Sequence, residues 1–306
     1  MTGLIGLDWG TSSLRAYRFD DAGRVVDHRA RAWGIRQLPA GGYPAALAEV
    51  TAGWPSLPRI ACGMVGSRGG WHEVPYRDVP LALDQLGSVL VAVVAADGLP
   101  LWLVPGLRDA AGPDVMRGEE TQLLGALHQR PALASQATCV MPGTHSKWVR
   151  IARGQIVAFR TVMTGEVFAA LSRHTILGTT GAEPVTDAAA FDRGVIAARA
   201  SGAAGAFSRL FTARALLLAG ELAASAVPDY LSGLLIGEEF RSAVANGDAT
   251  RDTPLQLIGD PDLCRRYAQA ARHFDLSLSA TIVDSAASGL WRLATLAGLV
   301  TEATSA

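Results

Sequence analysis

The sequence predicts an α/β protein of two domains, and three observations carry that expectation. Its 306 residues exceed the roughly 250 beyond which one hydrophobic core tends to split. Short apolar runs of strand type alternate with longer stretches of helical spacing. The pattern that opens the chain (strand, Gly/Thr turn, strand, Gly turn, strand) comes back near the middle, as one supersecondary β-meander used twice.

Leu4 to Asp8 is a short apolar run, Gly10 to Ser13 a polar turn and Leu14 to Phe19 a second strand; Asp20 to Gly23 turns the chain into a third strand at Arg24 to Ala30. Pro44 to Gly53 has helical spacing, Arg59 to Cys62 reads as a strand, and Gly63 to Gly70 is a loop with four glycines. Leu101 to Val104 is a strand and Glu119 to Gln129 a helix. The opening pattern then returns as Thr138 to Met141, the turn Pro142 to Ser146, Lys147 to Ala152, the turn at Arg153 and Gly154, and Gln155 to Val162. Aligning Gly10 with Gly143 puts Thr11 on Thr144. The domain boundary therefore falls between Pro131 and Thr138, giving domains 1–134 and 135–306. The later chain predicts alanine-rich helices at Asp187 to Ala200 and Leu216 to Val227, a strand at Leu255 to Ile258 ending at Gly259, and a helix from Pro261 to Phe274. A short strand at Thr281 to Val283 and a final helix, Ala286 to Gly298, placed to pack back on the first domain, complete the reading.

The net charge of −1 comes from 27 basic and 28 acidic residues mixed along the chain, which gives no electropositive face and no expectation of a nucleic-acid partner. Cys62, Cys139 and Cys264 lack both CxxC and Cys/His ligand spacing, so neither a zinc site nor a disulfide framework is expected. The N-terminus has no basic segment and meets Asp8 in its first apolar stretch, unlike a signal peptide. The most apolar run, Val89 to Ala96, falls well short of the roughly 20 residues that span a bilayer. A cytoplasmic protein with no membrane partner is expected. Oligomeric state is not legible, and a dimer stays open.

Candidate chemistry begins at Asp8-Trp9-Gly10-Thr11-Ser12-Ser13. Gly10 lets a ligand approach the backbone, Thr11, Ser12 and Ser13 offer hydroxyl and N–H donors to phosphate oxygens, and Asp8 is placed to hold hydrated Mg²⁺. An ordinary polar β-turn has the same composition. The second turn, with Gly143, Thr144, His145 and Lys147, strengthens the phosphate reading, because two such turns on facing domains can grip one polyphosphate. Lys147 is the only lysine among the 27 basic side chains, a compact point charge in a chain that otherwise uses arginine; a solvated surface lysine is the alternative.

Between the turns, Arg117-Gly118-Glu119-Glu120 supplies carboxylates at a helix start. Glu119 is the first choice as a base for an acceptor hydroxyl and Glu120 the second, although acids also favour helix N-termini without chemistry. Ser67 and Arg68 in the glycine loop suit a small acid, unless that loop is a mobile surface feature. Arg160, Thr164 and Glu166 follow the second meander, and Arg15 shares a strand face with Ser13. There is no G-x-x-x-x-G-K-[ST], no G-x-G-x-x-G after a strand, no H-E-x-x-H and no G-x-S-x-G, so P-loop, Rossmann, zinc-protease and α/β-hydrolase readings lose support.

The Asp-x-Gly-Thr turn, the second Gly-Thr turn and the strand ending at Gly259 resemble the phosphate and adenosine motifs of the sugar kinase/Hsp70/actin superfamily. More narrowly, DWGTSSLRA, CGMVGSRGGW, VMRGEETQLLGA, MPGTHSKWV, FRTVMTGE and YLSGLLIGEE are similar in order and spacing to the 2-dehydro-3-deoxygalactonokinase family. The resemblance implies a two-domain actin-like ATPase (ribonuclease H-like) fold with an interdomain cleft, and ATP- and Mg²⁺-dependent phosphorylation of the 6-hydroxyl of 2-dehydro-3-deoxy-D-galactonate. It assigns Asp8 to Mg²⁺, Thr11 and Thr144 to the phosphates and Gly259 to the adenosine. Asp284 to Ser288 lacks the glycine-aspartate spacing of that superfamily. The competing expectations are a phosphohydrolase resembling exopolyphosphatases and a nucleotide-switched scaffold resembling actin or Hsp70.

Overall fold

In the computed structural model, which describes residues 3–178 and 181–301, the chain forms an α/β protein with mixed sheets. By its internal contacts it divides into two units, one of residues up to 136 with 151–159 and from 284 onward, the other of 137–150 with 160–283.

In the first unit, β1 (Leu4–Trp9), β2 (Leu14–Phe19) and β3 (Val25–Arg31) run antiparallel in succession. They are followed by α1 (Gly42–Val50), β4 (Arg59–Cys62), β5 (Arg77–Asp78), β6 (Leu81–Ala82), β7 (Val91–Val94), β8 (Pro100–Leu103), β9 (Leu107–Asp109), β10 (Asp114–Met116) and α2 (Glu119–Gln129). The main sheet has the order β3-β2-β1-β4-β8-β7, and β5, β9 and β10 form a small second one. Because β1 is interior, its near-continuous apolar run is buried almost throughout. It pairs parallel with β4, Asp8 opposite Cys62, and β4 pairs parallel with β8. The carboxyl ends of these three strands thus share one edge, where the Gly10–Ser13 turn and the Gly63–Gly70 loop emerge, the edge at which open α/β sheets place ligands. Leu7, Trp9, Leu14, Val65, Leu101 and Leu103 form the core beneath it.

The strands continue with β11 (Gln136–Met141), β12 (Ser146–Ala152) and β13 (Gln155–Val162), and the start of β13 pairs antiparallel with β6. The second unit adds α3 (Thr164–His174), α4 (Ala188–Arg199), α5 (Thr212–Leu218), α6 (Val227–Ala245), β14 (Leu255–Leu257) and α7 (Pro261–Arg272). β14 lies parallel to β11, and the core gathers Val140, Trp148, Phe191, Phe240, Leu257 and Tyr267. The last helix, α8 (Ser285–Leu296), packs on α2 and β1 in the first unit. No helix among the described residues is long and apolar enough to cross a membrane.

Two elements differ from the sequence expectation. The alanine-rich stretch Leu216 to Val227 is not one helix: α5 ends at Leu218, Gly220 takes φ +72°, and α6 starts at Val227. Pro228 stands in the first turn of α6, where a missing N–H costs nothing, whereas inside a continuous helix it would remove a hydrogen bond. Thr281 to Val283 is not a strand; Ile282 makes only a parallel bridge to Ile258.

The crossing of α2 and α8 depends on two glycines. A Cβ at Gly289 would lie 1.9 Å from the Thr121 carbonyl oxygen, and one at Gly125 1.9 Å from that of Ser285. Backbone cannot yield as a side chain can, so Gly289→Ala is expected to destabilise the protein by about 2 kcal/mol or more, read as a lower urea midpoint. Gly69→Ala, where a Cβ meets nothing within 4 Å, should stay within about 0.5 kcal/mol. Equal midpoints for the two variants would contradict this packing.

Candidate functional site

The first turn is tied down through its carbonyls. Gly10 N donates to Ser13 O at 2.9 Å, Gly10 O accepts from Ile35 N at 3.1 Å, and Thr11 O accepts from Arg36 N at 3.3 Å. Gly34 lies so close that a Cβ there would sit 2.2 Å from Ser12 N. With the carbonyls so engaged, the N–H groups of Thr11 to Ser13 and their hydroxyls remain the turn's resource for an anion, as in backbone nests.

Asp8 ends β1 beside this turn. Its cross-strand neighbour Arg15 places Nη1 3.6 Å from Oδ2, while Arg15 itself stays exposed. Burial pushes the Asp8 carboxyl above its ordinary range; Arg15 pulls it down, and the charge of Glu119 raises it further. The structure thus brings Asp8, Arg15 and Glu119 into one electrostatic group.

Glu119 and Glu120 open α2 but differ in access. Glu119 is half-buried, and its Oε2 accepts from the Arg117 N–H at 3.0 Å. Glu120 is fully buried; it accepts from Gly118 N at 2.7 Å and from the Thr121 hydroxyl at 3.1 Å. Burial, followed by the Glu119 charge, pushes Glu120 up to about 8, so it is protonated at neutral pH. The helix start reaches the strand edge through glycine: Gly118 has φ +111°, Gly63 has φ +92°, and a Cβ on Gly63 would lie 2.7 Å from Trp9 O.

The glycine loop is held from inside. Buried Ser67 donates to Met64 O at 2.7 Å, and buried Arg117 donates from Nη2 to Val74 O at 2.7 Å with its guanidinium 4.3 Å from the Tyr76 ring centroid. Arg68 is exposed at the loop's tip.

In the second unit, Gly143, Thr144 and His145 form the turn between β11 and β12. Thr144 O accepts from Glu166 N at 3.0 Å, and His145 Nε2 lies 2.5 Å from Glu166 Oε2. A Cβ on Gly165 would meet Gly143 O at 2.6 Å, so only glycine lets the N-terminus of α3 come this close. Lys147 is buried. Gly259, with φ +140°, follows β14 and donates to Ile282 O at 3.1 Å; a Cβ there would lie 3.8 Å from Pro142 O. The parallel pairing of β11 and β14 therefore sets the glycine expected at the adenosine beside the second turn. Two of the predicted side chains are otherwise engaged: Arg160 lies 2.7 Å from Asp248, and the Thr164 hydroxyl donates to Glu239.

A family model described as 2-keto-3-deoxy-galactonokinase matches residues 8–293, a span that contains both turns and the Asp8, Glu119 and Glu120 carboxylates. The chain belongs to the 2-keto-3-deoxy-galactonokinase family. A relative from Escherichia coli (strain K12), named 2-dehydro-3-deoxygalactonokinase, is 37% identical over 92% of this chain and 94% of its own length. A Sinorhizobium meliloti structure described by the same kinase name has a TM-score of 0.86 at 36% identity, covering 95% of this chain and 98% of that one. The Clostridium difficile activator of 2-hydroxyisocaproyl-CoA dehydratase, solved with bound ADPNP, shares the fold at a TM-score of 0.51, 11% identity, and 97% and 96% coverage.

Within this galactonokinase fold, two groups escaped the sequence reading. Trp33 to Arg36 buttress the first turn; Gly34 beside Trp33 was the available signal, but nothing local said what it would meet. Glu239 is 1% exposed and accepts from Trp148, Thr164 and Tyr267; its pattern YLSGLLIGEE was visible, its partners were not.

The Glu120 carboxyl yields a pH prediction. Unfolded, it loses its proton near 4.5; folded, at about 8. Between those values the folded state holds the additional proton, so its stability falls as pH rises through the window and levels off above it. Glu120→Gln keeps the size without titrating, so its Tm relative to wild type should climb from about pH 5 to about pH 8. A Tm difference that is flat over that range would show that Glu120 titrates normally.

Proposed function

We propose that the chain transfers the γ-phosphoryl group of ATP to the 6-hydroxyl of 2-dehydro-3-deoxy-D-galactonate, giving the 6-phosphate. The observation that carries this reading is the family match over residues 8–293, which spans both turns and the carboxylates at the end of β1 and the start of α2. The actin-like arrangement, with its duplicated meander, its domains at 1–134 and 135–306 and its cleft, is part of the proposal, as is a cytoplasmic enzyme.

In this mechanism the N–H groups and hydroxyls of Thr11 to Ser13, together with Thr144, His145 and Lys147, hold phosphate oxygens, Gly143 lets the phosphate approach the second turn's backbone, and Gly259 lets the adenosine do the same. Asp8, raised by burial and by Glu119, fits a divalent cation, because two neighbouring carboxylates are stabilised by one. Among the described residues no three His, Cys, Asp or Glu side chains gather as a metal cage, and Mg²⁺ commonly completes its shell with phosphate and water. Asp8 would hold Mg²⁺, which supplies charge neutralisation on the phosphates.

Glu119 orients the acceptor hydroxyl and takes its proton as the new O–P bond forms and the bond to the ADP oxygen breaks. Glu120, enclosed and neutral, positions the first turn of α2. Arg68 is the foremost partner for the substrate carboxylate, since Arg160 is already paired with Asp248. Arg15 tunes Asp8; Ser67, Arg117 and Thr164 shape the walls, and Glu166 sets His145.

The test is a coupled ATP-consumption assay across sugar acids. Wild type should consume ATP only when the acid is present and prefer the galactonate-derived acid to its gluconate-derived epimer and to glucose. Consumption without the acid would favour the phosphohydrolase, and a preference for glucose would remove the carboxylate argument. Glu119→Gln should lower kcat by about 10²–10⁴-fold with nucleotide affinity nearly intact, whereas Asp8→Asn should weaken Mg²⁺-nucleotide use; Arg68→Ala should penalise acids selectively. Near-normal turnover of Glu119→Gln would move the base elsewhere.

A further inference from the structure

The second turn is connected to a buried carboxylate on another element. Gly143 N lies 3.4 Å from Ser146 Oγ, Ser146 Oγ lies 2.7 Å from the Tyr267 hydroxyl, and that hydroxyl donates to Glu239 Oε2 at 2.6 Å. Tyr267 has one proton and gives it to the carboxylate. Ser146 must then donate to the phenol oxygen, which turns its lone pairs toward the Gly143 N–H. Every donor in the chain points from the turn toward Glu239.

Glu239 also ties down the other segment that meets the turn. Oε2 accepts from the Thr164 hydroxyl at the N-terminus of α3, and Oε1 from Trp148 Nε1 at 2.7 Å on β12. α3 in turn holds the turn through Glu166 N and Thr144 O. One carboxylate on α6 thus collects donors from β12, α7 and α3, each of which also reaches the turn or continues from it.

We infer that Glu239 is a positioning residue for nucleotide phosphate: its carboxyl group ends the Tyr267–Ser146 chain and fixes Gly143 to His145 in the conformation that presents the Thr144 and His145 N–H groups to the phosphate. This rests on the reading of that turn as a phosphate site. The carboxylate is set back from the ligand and acts through the turn. Gly143 N–H is spent inside the protein, which leaves the N–H groups of Thr144 and His145 for phosphate.

The experiment compares wild type with Glu239→Gln and Tyr267→Phe. The first keeps the volume but places an amide –NH₂ among groups that all donate; the second keeps the ring in its core and cuts the chain between Ser146 and Glu239. Kd for ATP by calorimetry, KM for ATP and for the sugar acid, amide exchange at Gly143 to His145, and Tm are measured for each. Both variants should bind ATP about tenfold more weakly, with KM for the acid within about twofold, and with faster exchange confined to the turn. Tyr267→Phe should lower Tm by only a few degrees, because Thr164 and Trp148 still donate to Glu239, which maintains the test if Glu239→Gln folds poorly. Wild-type affinity for ATP in Tyr267→Phe, or equal rises in both KM values, would overturn this inference alone. A wild-type protein that binds no ATP would overturn the phosphate reading and this inference with it.

Discussion

β1 is an apolar strand that must end in a carboxylate, and much of the first unit answers to that constraint. Taking Asp8 out of water disfavours its charge, and the neighbouring strands determine what compensates. The antiparallel partner brings Arg15 across the hairpin to within 3.6 Å of it; the parallel partner brings Cys62, whose thiol burial pushes well above its usual range, leaving it neutral beside Asp8. Glu119 then adds a second negative charge. A fold selected only for stability has little reason to set two carboxylates at a buried strand end with one exposed arginine between them and solvent. The cation and phosphate proposed for this site would supply the missing charge.

The two fully enclosed glutamates meet the same burial with different partners. Glu120 has two donors and a charged neighbour, and its carboxyl is held neutral, up to about 8. Glu239 is also pushed upward by burial, and hydrogen bonds from Thr164, Tyr267, Trp148 and Ser146 offset only part of that rise. Each hydrogen bond to the charged form repays part of its desolvation. A neutral Glu120 spares the helix start a third negative charge near Asp8 and Glu119. Glu239 gives the second turn a fixed acceptor on which its hydroxyl chain can end.

The parts legible in the sequence were those whose physics is local. Strands β1 to β3 and β11 to β13, and both turns, follow from short strand-like runs bounded by Gly/Thr/Ser turns, and the bounds of β2, β4, α2 and β13 match the reading. The break before α6 was also written locally, in Gly220 and Pro228; alanine content outweighed them because helix propensity is a weak guide beside a missing N–H. Contacts between distant segments were not legible. Gly34 meets Ser12, Gly289 meets Thr121 and Gly233 meets Phe191, and each glycine is required by a backbone that sequence spacing cannot locate.

Glu239 marks that limit most clearly. Gly233 and Gly237, four apart, let α6 press against α4, where a Cβ on Gly233 would lie 2.0 Å from Phe191 O. A helix so committed on one face, and buried on most others, has no solvent side on which polar residues can be expected. A glutamate there is tolerable only if the surroundings supply donors, and these come from residues 91 and 75 positions away on β12 and α3 and 28 away on α7. The glycines and the glutamate of YLSGLLIGEE are therefore one device: close helix packing brings the carboxylate to the depth at which Tyr267 and Thr164 can meet it.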